Sequence, residues 1–309
     1  MDYSGKAKVI KNAGSHYLLS ELPKWEPFEA VLRGKVRLKG GSSTNPVAVG
    51  DEVLYSRTAA EGPATITEVL PRSNYLIRKS TNLSRQSHII AANIDRAVIA
   101  VSLFCPEIKL PFLDRILVSC EVYKIPVVIV LNKIDLYGES EAVKHFCGIY
   151  RGAGYRVIPT STISGEGIDE LREECSKGLN LVSGESGVGK SSLIRALDPS
   201  LNPKIGKIST STQQGKHTTS LYEMYPLEKG GYIIDSPGLR GFGLVDLQKE
   251  EISKYFPEML RLTDDCRFVP CTHTHEPGCA VKAALESGEI SAERYSSYLG
   301  MLEEDGKFR

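Results

Sequence analysis

The chain has 309 residues, 41% of them apolar and 25% charged, which is the composition of a folded globular protein and excludes a disordered one. Its 38 Lys and Arg balance 38 Asp and Glu, so bulk charge points to no strongly basic or acidic partner, and no apolar run approaches the length of a membrane helix. The seven cysteines are four scattered ones (Cys105, Cys120, Cys147, Cys175) and three between positions 266 and 279, a poor disulfide framework and a possible metal site.

The charge is uneven along the chain. Residues 1–80 hold 12 Lys/Arg against 8 Asp/Glu, whereas residues 242–309 hold 8 against 13. Within the basic part, Ala7–Ile10, His16–Leu19, Ala30–Leu38, Glu52–Tyr55 and Ala64–Leu70 are short β-prone runs separated by turn residues. Five such strands predict a small barrel of the OB type, a common nucleic-acid scaffold. Arg33, Lys35, Arg37 and Lys39 alternate and therefore share one strand face. That stripe is either a solvated surface or a sequence-independent phosphate contact. The opening residues, Met1 to Lys6, lack the apolar core of a secretory signal, so a cytoplasmic location is expected.

From about residue 95 the pattern becomes that of alternating strands and helices. Ala97–Val101 and Pro126–Leu131 are continuous apolar runs rich in β-branched residues, as in strands buried on both faces of a parallel sheet, and Pro111–Tyr123 between them has helical spacing. Asn132-Lys133-Ile134-Asp135 stands at the C-terminal end of the second run, where open α/β sheets bind ligands. The Asp135 carboxylate can accept from the N1–H and amino group of guanine, which adenine cannot offer as a pair. Lys133 can lay its stem on the purine, and Asn132 can tie the base edge to a phosphate loop. A further strand, Arg156–Pro159, ends in Thr160-Ser161-Thr162, a turn able to close over guanine O6.

Next come an apolar run, Leu179–Val182, and Gly184-Glu185-Ser186-Gly187-Val188-Gly189-Lys190-Ser191, which matches the phosphate-loop pattern and leads into a helix from Ser192. Glycines turn backbone N–H groups toward phosphates, Lys190 neutralises β/γ charge and the Ser191 hydroxyl suits Mg²⁺. Asp235-Ser236-Pro237-Gly238 follows the strand Gly231–Ile234; Asp235 would reach Mg²⁺ through water, and the Gly238 N–H would sense the γ-phosphate. Finally, Cys266, Cys271, His273 and Cys279 form a Cys₃His set suited to one closed, structural zinc site, with His275 a spare imidazole that could replace His273. Helical periodicity follows over Ala280–Leu285 and Ser291–Leu302. The four scattered cysteines are expected in the core.

The base motifs precede the phosphate motifs, the reverse of the translation-factor order. An OB-like barrel, a circularly permuted GTPase and a C-terminal Cys/His cluster together resemble the ribosome small subunit-dependent GTPase A family. The resemblance implies a multidomain fold: an N-terminal OB-fold β-barrel binding RNA (1–75), a central α/β circularly permuted P-loop GTPase domain (76–241) and a mostly helical zinc-binding domain (242–309). It implies a monomeric GTP hydrolase, with no membrane partner, that binds the 30S subunit and its 16S rRNA and assists late maturation. Regulation of a non-ribosomal protein or RNA partner is the alternative. Gly215 to Thr219 resembles that family's switch I, which gives Thr219, or else Thr218, to Mg²⁺ beside Ser191 and Asp235. Where many GTPases have a water-orienting glutamine this chain has Leu239. The resemblance moves that role to His217, which could equally be a surface residue, and leaves Lys190 and Thr219 as the other catalytic groups. Thr162 replaces the alanine common in the guanine turn.

Overall fold

A computed structural model describes residues 3–32, 46–57, 62–79, 87–138, 140–201, 222–235 and 247–303. The stripe Arg33–Lys39, the switch residues His217, Thr218 and Thr219, and Gly238 and Leu239 lie outside the described residues. Among the described residues, seven strands open the chain: β1 (Tyr3–Ala13), β2 (His16–Ser20), β3 (Phe28–Leu32), β4 (Glu52–Arg57), β5 (Ala64–Val69), β6 (Tyr75–Lys79) and β7 (Ser87–Ala92). An alternating region follows: β8 (Arg96–Val101), α1 (Leu110–Val122), β9 (Val127–Asn132), α2 (Glu141–Ala153), β10 (Arg156–Thr160) and α3 (Ile168–Cys175). Then come β11 (Leu179–Gly184), α4 (Lys190–Leu197), β12 (Met224–Pro226) and β13 (Tyr232–Asp235). The C-terminal helices are α5 (Pro257–Leu260), α6 (Ala280–Glu286) and α7 (Ala292–Glu303). The chain divides into two compact units: residues 1–97, 169–183 and 190–241 make the first, and residues 98–168, 184–189 and 242–309 the second.

In the first unit the five expected strands close a barrel in the order β1-β2-β3-β5-β4. Strand β1 serves two neighbours, pairing through Tyr3–Lys8 with β4 and through Lys8–Ala13 with β2. A bulge between Val9 and Lys11 bends it from one to the other, the usual device for closing a small barrel. β3 and β5 run parallel and the other pairs antiparallel. Alternation puts Val9, Tyr17, Leu19, Ala30, Val53, Tyr55 and Ile66 inside, as period-two geometry requires. The barrel also meets the later strands of its unit. Lys11 bridges to Glu223, backbone and side chain (2.9 Å), and Trp25 stacks on Tyr232 of β13 with ring centroids 5.9 Å apart. The β6–β7 hairpin is an element the sequence reading leaves unassigned. In the same unit β13 lies between β11, to which it is parallel, and β12, to which it is antiparallel.

In the second unit β9 lies between β8 and β10. The parallel β9–β10 register sets Asn132 opposite Thr160. The C-terminal helices share one core with α1: Leu247, Ile252, Phe256, Met259, Tyr298 and Met301 pack with Val118 and Val122. Charge is buried beside it. Arg294, 1% exposed, donates to Asp114 Oδ1 (2.7 Å) and to Glu258 (2.7 and 3.1 Å), Tyr150 Oη donates to Asp114 (3.1 Å), and the guanidinium lies 4.5 Å over the Phe256 ring. Burial pushes the Asp114 carboxyl up against the pull of Arg294. Two carboxylates left without their common cation are costly, so Arg294→Ala is expected to destabilise the protein by about 3–5 kcal/mol, read as a lowered thermal midpoint. An unchanged midpoint would show that the cluster adds nothing to the docking of α7.

Candidate functional site

The base-type motif is assembled within the second unit. β9 ends at Asn132, which is 1% exposed. Its Nδ2 donates to Val188 O at 2.8 Å, and its Oδ1 accepts from Thr160 Oγ1 at 3.1 Å. One amide therefore links two strand ends to the phosphate loop. Lys133 follows in the left-handed region (φ 68°), which turns the chain into a 3₁₀ turn over Ile134–Leu136. Its Nζ donates to Gly187 O (2.6 Å) and to Cys105 O. Ile134 is buried and anchors the turn. Asp135 accepts from Ser161 Oγ at 2.5 Å, while that hydroxyl oxygen accepts from the N–H groups of Ile163 and Ser164 (3.1 Å each). Thr162, half-buried, stands between these contacts.

Residues 184–189 leave β11 with φ positive at Gly187 and Gly189. A Cβ at Gly189 would sit 2.5 Å from Asn132 Nδ2, so only glycine permits the Asn132 contact. Glu185 and Ser186 span the turn, and Val188 N donates back to Glu185 O (3.4 Å). A Cβ at Gly184 would lie 2.5 Å from Ala100 O, which explains glycine at the strand end.

The other phosphate-type residues lie in the first unit. Lys190, Ser191 and Ser192 form the first turn of α4, and Asp235 ends β13. Burial pushes the Asp235 carboxyl up to about 6 against the pull of Lys190. Its Oδ1 is buried without a hydrogen-bond partner among the described residues, an arrangement that fits a hydrated cation.

At the metal centre, Cys266, Cys271, His273 and Cys279 place one donor atom each within 4.8 Å of all the others. Tetrahedral zinc bonds imply separations of about 3.8 Å between sulfurs and about 3.5 Å from sulfur to nitrogen. Cys266 Sγ lies 3.9 Å from Cys279 Sγ, and His273 Nδ1 lies 3.6 and 3.4 Å from the same two sulfurs. The donor set therefore fits zinc. His275, the alternative, is exposed, with Nδ1 turned to Thr274 Oγ1.

Residues the sequence reading missed brace this centre. Glu276 accepts from Thr272 N, Thr272 Oγ1, Thr274 N and His275 N (2.6–3.2 Å), and Tyr295 and Tyr298 donate to His273 O and Thr272 O (2.6 Å each). Against burial, those hydrogen bonds hold the Glu276 carboxyl down at about 2. The i,i+3 spacing of the two tyrosines on one helix face is the signal that could have found them. The four scattered cysteines are not all in the core, where their residue type would put them. Cys120, Cys147 and Cys175 are buried but Cys105 is exposed, because it belongs to the loop after β8 whose carbonyl receives Lys133 rather than to the strand core.

No helix among the described residues is long and apolar enough to cross a membrane. The RsgA GTPase family model matches residues 69–245. The chain is 47% identical over 308 residues to the small ribosomal subunit biogenesis GTPase RsgA of Bacteroides fragilis (98% of this chain, 99% of that one). It is 45% identical to the protein of the same name from Flavobacterium psychrophilum (96% and 92%). The crystal structure of YjeQ from Thermotoga maritima superposes with a TM-score of 0.78 at 32% identity (97% of this chain, 98% of that one). That of YloQ, a circularly permuted GTPase, superposes at 0.72 and 26% (97% and 94%). The closed barrel, the base motif preceding the phosphate loop, and the Cys₃His cluster are thus the parts of one known architecture, and the chain belongs to the RsgA family of circularly permuted GTPases.

Proposed function

We propose that the protein hydrolyses GTP to GDP and phosphate, binds the small (30S) ribosomal subunit through its 16S rRNA, and assists late maturation of that subunit, as a cytoplasmic monomer stimulated by its partner. The observation that carries this reading is the Asn132–Val188 link, which joins a guanine-type motif to a phosphate loop, in a chain whose relatives at 47% identity are named for small-subunit biogenesis.

In this reading Asn132, Lys133, Ile134 and Asp135, with Ser161 and Thr162, hold the guanine, and residues 184–192 wrap the phosphates. Ser191 and Thr219, with Asp235 through water, would hold Mg²⁺, whose chemistry would be to offset the negative charge of the β- and γ-phosphates. Lys190 offsets phosphate charge, Gly238 senses the γ-phosphate, and His217 orients the attacking water in place of the glutamine replaced by Leu239. Cys266, Cys271, His273 and Cys279 hold the structural zinc. The segments 1–75, 76–241 and 242–309 act as RNA-binding, GTPase and zinc-binding domains; the family match over residues 69–245 supports the middle one. The surplus of basic residues before position 80 favours the barrel as the rRNA contact.

Co-sedimentation with purified 30S subunits should be stronger with a non-hydrolysable GTP analogue than with GDP, and should weaken as salt rises. The subunits should accelerate GTP turnover. His217→Ala should keep GTP binding and lose roughly 100-fold or more of the stimulated rate. Absence of 30S binding in every nucleotide state would defeat the ribosomal assignment, and undiminished stimulated turnover in the variant would remove His217 from the mechanism.

A further inference from the structure

Two aromatic rings stand on the surface beside Lys133. Phe104, 59% exposed, packs edge-on against Tyr137 with centroids 5.2 Å apart and planes at 66°, and the Phe104 N–H donates to Tyr137 Oη at 3.3 Å. Tyr137 closes the 3₁₀ turn that begins at Lys133, its N–H donating to Ile134 O. Phe104 directly precedes Cys105, whose carbonyl receives the Lys133 ammonium. That ammonium also donates to Gly187 O in the phosphate loop, and a Cβ at Gly187 would meet Pro106 Cδ at 3.7 Å. Ser102 Oγ donates to Pro106 O (2.7 Å), which fixes the base of the 102–106 loop.

The ammonium is thus held from two sides, and only one of them belongs to the phosphate loop. The other is a surface loop whose tip is fastened by the Phe104–Tyr137 pair. We propose that this pair is a latch that positions Lys133, so that Phe104 and Tyr137 are positioning residues for nucleotide retention and contribute nothing to the chemistry at the γ-phosphate. The inference rests on the GTPase reading, in which the purine lies along the Lys133 stem. With the latch open the ammonium loses the Cys105 carbonyl, the stem is free to leave the base, and the phosphate loop keeps its own backbone contacts.

An aromatic pair of this kind predicts an effect of roughly three- to tenfold. Phe104→Ala and Tyr137→Ala should each raise KM for GTP and speed release of a fluorescent GDP by that factor, with kcat at saturating GTP held. Phe104→Trp, which restores a ring, should recover the affinity. The double alanine variant should be no worse than either single one, since the rings act as one unit. If an alanine variant melts early, Tyr137→Phe, which removes only the Oη acceptor, carries the test with a smaller increase in release rate. Unchanged KM and release rate, a fall in kcat at constant KM, or additive single effects would each overturn the latch. A wild-type protein that binds no guanine nucleotide would instead overturn the GTPase reading itself.

Discussion

Replacing Cys279 by serine, or stripping the metal with a strong chelator, is expected to collapse the C-terminal module while the barrel survives. The four donors lie within 4.8 Å of one another, where a shared dication would replace weak thiol and imidazole contacts with metal–ligand bonds. Burial pushes the Cys271 thiol up to about 12 and the His273 imidazole down, and a dication reverses the first of these by holding the thiolate. Structural zinc in small modules contributes on the order of 10–16 kcal/mol at neutral pH. Here part of the core stands without it, because Phe256, Met259, Tyr298 and Met301 also pack on Val118 of α1, so the net loss is smaller than the gross figure. The module should release its metal as pH falls and its ligands take up protons. Elemental analysis should give one zinc per chain in protein purified without chelator and far less in Cys279→Ser, with a lowered first thermal transition and newly reactive thiols. A wild-type protein that contains no zinc yet melts like the loaded one would remove the metal from the fold.

The parts of this architecture that could be read from sequence are those where local chemistry and global position agree. Val127–Leu131 is continuously apolar, with four β-branched residues before Leu131, because β9 is covered on both faces, and the motif at its end is displayed for the same reason. The parallel register that sets Asn132 against Thr160 explains why two motifs about 28 residues apart meet, a consequence of βαβ geometry. Other features were hidden because they oppose the ordinary habit of their residue type. Arg294 reads as a solvated helix position, and only the three-way approach of α1, α5 and α7 shows it enclosed by Asp114 and Glu258. Cys105 reads as an apolar core residue, yet its value to the fold is its backbone carbonyl, which no side-chain pattern can signal. The β6–β7 hairpin combines apolar runs on both strands, Leu76-Ile77 and Ile89-Ile90, without the polar alternation that marks a half-exposed pair.

Asp135→Asn should reverse the base preference of the nucleotide site. Ser161 determines the outcome. Its hydroxyl oxygen already accepts from two backbone N–H groups, and its proton is committed to Asp135 Oδ1 at 2.5 Å. An amide at position 135 must therefore turn its oxygen toward Ser161 to keep that bond, which leaves the amino group facing the base. The guanine N1–H and exocyclic amine then meet a donor where they need an acceptor. Two hydrogen bonds to a charged group contribute about 1.5–3 kcal/mol each, so GDP affinity should fall by roughly 10²–10⁴-fold. Xanthine carries a carbonyl in place of the exocyclic amine and can accept from the reoriented amide, so the xanthine diphosphate should now bind more tightly than GDP. Ser161→Ala added to the variant frees the amide to rotate and should restore part of the guanine affinity, a rescue that a merely misfolded pocket would not show. Equilibrium competition among GDP, XDP and ADP on the three proteins measures all of this. GDP affinity within about twofold of wild type in Asp135→Asn would mean that the carboxylate is held by Ser161 for the stability of the turn and does not read the base.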